Sequence, residues 1–205
     1  ASSDALSENN SVYLANVPAN TDNAQHNIGV GNDALNSITT ADYVSGVGSN
    51  ALKNNTTGIG NSALGTNAME SNTTGEGNTV AGWNTLVTNT SGDYNVAMGV
   101  NAMFNNTTGS QNVALGTSAL YSSTTSESNV SVGNSSLYNN TTGNNNTALG
   151  SNALTSTTQG GNNVAIGYSS GRQNTTGSGN VFIGNEAGNS NSHQTASNKL
   201  VVANS

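Results

Sequence analysis

Residues able to do chemistry are few in this chain, and they stand far apart. Its two histidines, His26 and His193, lie near opposite ends. Serine and threonine are abundant, but a hydroxyl becomes a nucleophile only with a base beside it, and no such pairing is legible. Glycoside hydrolysis needs two carboxylates at a set separation. Such a pair could arise here only by coincidence of columns. Glu76 and Asp93 fall 17 residues apart, and Glu127 follows two further steps of 17 along. Carboxylates brought side by side repel unless a cation or water separates them, which makes Glu76 and Asp93 weak metal candidates. Ser110 and Asn144 interrupt the same series, so solubilising charge is the plainer reading. The chain has no Cys, which excludes disulfides and thiolate metal sites. These residues predict a non-enzymatic protein with no cofactor.

The aromatic residues are better organised. Phe104, Tyr121 and Tyr138 follow one another at intervals of 17, with Val87 one step earlier. Turned outward, such a ladder presents apolar rings with polar tips, suited to packing on a sugar. It is the sequence's candidate ligand site, with a cell-surface glycan as the candidate ligand; packing within the wall or between chains is the alternative. Trp83 and Tyr168 share another series five steps apart and form no platform. Recurrent Thr-Thr pairs raise ice binding as a minor alternative, although adjacent strand residues point to opposite faces. Sequons such as Asn106-Thr107-Thr108 would be glycan acceptors only in a eukaryotic secreted protein; otherwise they are turn chemistry.

Only three Lys and Arg residues (Lys53, Arg172, Lys199) occur in 205, and the net charge is -7. Nucleic acid and anionic membrane surfaces both call for clustered cations, so neither is an expected partner. No apolar run approaches the roughly 20 residues of a membrane-spanning helix. Hydrophobic residues make up 32%, too few for a conventional core. Disordered chains, however, are usually rich in charge and Pro, and this one has a single proline, Pro18.

What positions all these residues is a period. A unit N-x-A-x-G begins at Asn61, Asn78, Asn95, Asn112, Asn129, Asn146, Asn163 and Asn180, every step being 17. Its glycine continues back through Gly48 and Gly31; Asn10 keeps the phase, and NKLVV at 198–202 reads as a last turn displaced by one residue. With Asn as position 1, the consensus is N-V-A-L-G-x-N-A-L-x-x-N-T-T-G-x-x. Alternation at positions 2 and 4 reads as a short strand with Val96/Met98 and Val113/Leu115 facing inward. The Ala at position 3 would then face outward, as a small-residue contact between chains. Gly at position 5 supplies a bend, and Asn-Thr-Thr-Gly a turn. Two-helix repeats need more than thirty residues, so the period predicts an all-β parallel solenoid of about eleven to twelve 17-residue turns. Its domains are an N-terminal extension at 1–9, the solenoid at 10–188, and an irregular turn with a final strand at 189–205. Stacking would turn position 1 into an Asn ladder whose amides bond along the column. About three aliphatic side chains per turn are few to offset the ordering of seventeen residues, which predicts further burial against copies of the chain.

The strings NVAMG (95–99), NVALG (112–116) and NNVAIGYSSG (162–171) resemble the head repeats of YadA-type trimeric autotransporter adhesins. The NTTG insertion and the Ala-Leu pair look more like related repeats of phage tail fibres, and 178–205 resembles the segment preceding an intramolecular chaperone in such fibres. The resemblance covers about residues 10–205. It implies a left-handed roll, a homotrimer, and an extracellular, cell-surface or virion location. The expected function is a fibre shaft or a receptor-contacting head. The alternative is a filament subunit stacking end to end, since neither terminus shows an obvious polar cap.

Overall fold

In the computed structural model, residues 6–8 and 11–15 are described as strands and residues 23–203 throughout. The chain is an all-β parallel solenoid. Strands β2 (Ser11–Ala15), β3 (Ile28–Gly31), β4 (Ser45–Val47), β5 (Ser62–Leu64), β6 (Thr79–Ala81), β7 (Val96–Met98) and β8 (Val113–Leu115) stack in chain order. The stack continues through β9 (Val130–Val132), β10 (Thr147–Leu149), β11 (Val164–Ile166), β12 (Val181–Ile183) and β13 (Leu200–Val202). From β3 to β12 each strand pairs with the next 17 residues on, as Val96 does with Val113.

The ends depart from that phase. Val12 pairs with Ile28, so Ser11 rather than Asn10 takes the first position. Val181 pairs with Leu200, so the last turn is displaced by two residues, not the expected one. The extra length is a one-turn 3-10 helix, Asn191–His193, and Lys199 N–H occupies the Asn position by donating to Asn180 Oδ1 at 2.9 Å. Strand β1 (Leu6–Glu8), inside the expected extension, runs antiparallel on β2.

The strands face opposite to the sequence expectation. Position 3 points inward: Ala97, Ala114, Ala148 and Ala165 are fully buried, while their neighbours at positions 2 and 4 are half-buried or exposed. The reason is width. A 17-residue turn encloses a narrow interior, and Leu at position 9 (Leu52, Leu86, Leu120, Leu137, Leu154), all at zero exposure, already fills most of it. The side chain opposite is small in consequence: a methyl at those four Ala turns, a hydroxymethyl at Ser131 and, beside Leu86, nothing larger than Val80. At one end the sizes trade places. Phe182 replaces the Ala, and Gly171 and Gly188 replace the Leu on either side; a Cβ at either glycine would lie 2.6 or 2.3 Å from the phenyl ring.

The remaining interior is amide. Along the position-1 column each Asn Oδ1 accepts the next turn's Asn N–H, and Nδ2 donates to a carbonyl of the following corner. Asn112, for example, donates to Ser126 O at 2.8 Å and accepts from Asn129 N–H at 3.0 Å. A second column runs at position 12, where Asn72, Asn89 and Asn106 Nδ2 donate to the preceding Asn Oδ1 at 2.7–2.8 Å and to their own corner's Gly carbonyl at 3.0 Å. Buried amides satisfied this way stabilise the fold; left unpaired, each would oppose it. This is how a chain so poor in apolar residues holds an ordered interior.

The corners use left-handed backbone. Position 9 adopts φ near +51° at Leu52, Met103 and Leu154, unusual for Leu. There its N–H donates to the next turn (Leu52 to Ala68 O, 3.0 Å), whereas position 7 donates to the previous one (Asn50 to Asn32 O, 2.8 Å). At position 5 glycine is doubly required. Gly116 has φ +140°, and a Cβ there would sit 2.6 Å from Gly133 O.

Candidate functional site: the outer strand face

Because Ala turns inward, the larger aliphatic residues of positions 2 and 4 form two exposed columns along the sheet. Leu64 is 58% exposed and Met98 42%, and Ile28, Leu149, Ile166, Ile183, Leu200 and Val202 are also exposed. Val113, Leu115, Val130 and Val132 sit half-buried between them. No residue of β3–β13 on this face is charged. With strands about 4.8 Å apart, the face is about 50 Å long and about 10 Å wide, on the order of 500 Å². That matches the largest apolar patches monomers leave exposed and approaches the roughly 800 Å² per partner of a standard interface.

The face is uneven. At β4–β6 its residues shrink to Ser45, Ser62, Thr79 and Ala81, and with Val47 and Leu64 they line an open notch of about 330 Å³. Ala81 is the smallest position-4 residue from β3 to β13; the others are Val, Leu, Met or Ile. Two residues past Ala81, Trp83 is 56% exposed and does not line the notch.

The predicted aromatic ladder forms, with its faces turned away from solvent. Phe104 and Tyr121 stack at 5.3 Å and 13°, Tyr121 and Tyr138 at 5.0 Å and 3°. Parallel rings one rung apart cover one another, so the middle ring has no free face and the stack shows mainly edges. The columns were legible because they follow from the period; ring orientation does not. A second stack, His26 on Tyr43 at 5.0 Å and 6°, was not anticipated.

Glu76 and Asp93 do come onto adjacent turns, but Asp93 Oδ1 accepts the Glu76 backbone N–H at 2.8 Å. Asp42, Asn144 and Ser178 accept equivalent bonds from Gln25, Glu127 and Gly161, so the short polar side chain at this position is a corner brace. Among the described residues no group of three or more His, Asp or Glu could hold a metal. One serine does meet a base: Ser190 Oγ lies 2.7 Å from His193 Nδ1, with Ser192 Oγ at 3.4 Å. This cluster sits on the exposed 3-10 turn and braces it, while the His193 ring packs edge-on to Phe182 at 6.1 Å. Position-13 threonines spend their hydroxyls on the next turn's carbonyl, as Thr107 does on Thr124 O at 3.0 Å. Thr57, Thr74, Thr108, Thr125 and Thr142 form one exposed column beside them. In the Asn106-Thr107-Thr108 sequon, the Asn106 amide is buried and bonded to Asn89 and Gly109.

No family model, curated protein or solved structure matches the chain.

Proposed function

We propose that this chain is a non-enzymatic segment of an extracellular fibre or adhesin, a shaft or surface-contacting head, that works as a side-by-side assembly of its own copies. The observation that carries this is the charge-free, largely aliphatic face of β3–β13. Its residues recur once per rung, so another rod of the same rise meets it with equal spacing along its whole length; an irregular partner would meet it only locally. Three copies is the number implied by the likeness of NVAMG and NNVAIGYSSG to trimeric adhesin heads. Function on this reading is geometric: buried amide ladders and stacked backbone bonds make a stiff, protease-resistant spacer, and variable corner residues decorate it. The antiparallel β1 interrupts the parallel ladder at one end, which weighs against growth by end-to-end stacking.

Light scattering on the purified chain, beside Leu115→Asp/Val132→Asp, tests this. The wild type is expected as a discrete oligomer and the variant as a folded 20.5 kDa monomer. Long polymers would transfer support to the filament reading. A variant that keeps its oligomeric mass would show that this face is not the interface.

A further inference from the structure

The notch spans the rungs of β4 to β6, and the exposed Trp83 follows β6; the two are complementary in kind. The notch exists because position 4 falls to Ala81 just where position 2 holds Ser45, Ser62 and Thr79 in succession. On that turn, and only there, position 6 carries Trp; neighbouring turns carry Thr66 and Val100. The bend at Gly82, φ +138°, separates Trp83 from its own Ala81, and more than half of the residue stays in solvent. A large apolar ring without a pocket, beside an apolar pocket without a ring, is the pattern of a knob and a hole on two molecules.

We propose that Trp83 of one copy seats in the Ser62–Leu64/Thr79–Ala81 notch of a neighbouring copy, and that this contact fixes the two rods parallel and in register. The proposal rests on the side-by-side reading above. Ala81, whose small side chain opens the hole, shares a rung with Trp83, so the indole lies over it only when equivalent rungs meet. A neighbour slipped toward β7–β9 takes the indole off the notch and sets the Ser and Thr hydroxyls of β4–β6 against the Val-rich position-2 column there (Val96, Val113, Val130). A register lock is needed because the rest of the face is nearly periodic. Without one, a slip by a single rung would cost little. Centrally placed Trp residues that fill partner pockets are the side chains that typically dominate interface energetics. No residue lining the notch carries a charge that would favour an ionic ligand.

Trp83 is the only tryptophan in the chain, so its emission reports on this contact alone. The experiment measures Trp83 emission wavelength and acrylamide quenching alongside mass by light scattering, across a dilution series. It compares wild type, Trp83→Ala and Ala81→Met. Met is tolerated at this position one turn later, as Met98, so Ala81→Met keeps the fold while filling the notch. The expected result is blue-shifted, quench-protected emission in the oligomer that reddens on dissociation. Trp83→Ala should weaken association about thirtyfold or more. Ala81→Met should leave Trp83 red and exposed, with comparable loss of association. An oligomer whose Trp83 stays red and fully quenchable overturns the knob-in-hole contact while leaving self-association standing. A chain that remains monomeric at every concentration overturns both. A monomer whose emission is already blue and protected places the indole against its own chain, which also overturns the contact.

Discussion

The position-12 amide column is broken at Ser123, and repairing it takes two substitutions, not one. Where Ser123 replaces Asn, the preceding Asn106 Oδ1 is buried with no partner; the same happens to Asn140 Oδ1 beneath Thr157. Ser123 is matched by Ser126 at the corner where neighbouring turns have Gly, and the two hydroxyls bond at 2.7 Å. Gly is needed beneath an Asn because a Cβ at Gly109 would approach Asn106 Oδ1 to 2.4 Å. Ser123→Asn alone therefore forces that collision with the Ser126 Cβ, and overpacking of this kind costs about 1–3 kcal/mol, which with the lost hydroxyl pair outweighs the bonds gained. Ser126→Gly alone strands the Ser123 hydroxyl, at about 1–3 kcal/mol. Together they supply a donor to the unpartnered Asn106 Oδ1, an acceptor for Asn140 Nδ2 and a third amide bond to the corner carbonyl, while giving up the hydroxyl pair and the Asn129 Nδ2 bond to Ser126 Oγ at 3.1 Å, a net gain of about 2 kcal/mol. For a chain of this size that is a rise in Tm of about 4–8 °C. Denaturant unfolding of all four proteins at fixed protein concentration measures the cycle. Both single variants should lie below wild type and the double above it, with a coupling near 3 kcal/mol, at the upper end for residues in contact. If Ser123→Asn alone stabilises as much as the pair, the steric link between columns 12 and 15 is wrong.

Further substitutions test the same packing. Gly116→Ala meets both φ +140° and the Gly133 carbonyl at 2.6 Å and should cost more than about 3 kcal/mol, whereas Gly60→Ala, at φ +68° with open space around it, should cost only about 1; urea midpoints of the two separate steric from conformational cost. Phe182→Ala should lose about 3–5 kcal/mol to the cavity it leaves, and adding Gly171→Leu with Gly188→Leu, which restores the Ala/Leu pattern of other turns, should recover most of it in thermal melts. Ser170 stands where most turns have Ala and its Oγ is buried without a partner, so Ser170→Ala should raise stability by about 1 kcal/mol.

Much of this architecture was legible because the period is visible in the letters. Asn and Gly recur every 17 residues for reasons the structure makes plain: the amides stack, and a Cβ at position 5 would strike the next turn's carbonyl. The direction of the strand was not legible. Over three residues, V-A-L offers two faces, and the larger side chains look like the interior ones. The deciding facts lie elsewhere in the turn, in the Leu at position 9 that fills the interior and in a narrow enclosed space that, beside that Leu, takes Ala at several turns and Val80 at the largest. The same reversal moved the candidate interface from the Ala column to the Val and Leu columns. The Phe104–Tyr121–Tyr138 column was correctly placed, but whether its rings offer faces or edges depends on side-chain torsions the repeat does not encode. Phase at the C-terminal end drifted because the short 3-10 turn at Asn191–His193 has no counterpart in the repeat.

The native mass of the purified chain bears most directly on the outer face of β3–β13. If copies cover that face, light scattering at micromolar concentration gives a discrete multiple of 20.5 kDa, three copies on the trimeric reading, and the mass falls to that of one chain when charge is placed at Leu115 and Val132. A stable wild-type monomer that stays at 20.5 kDa at high concentration would contradict it.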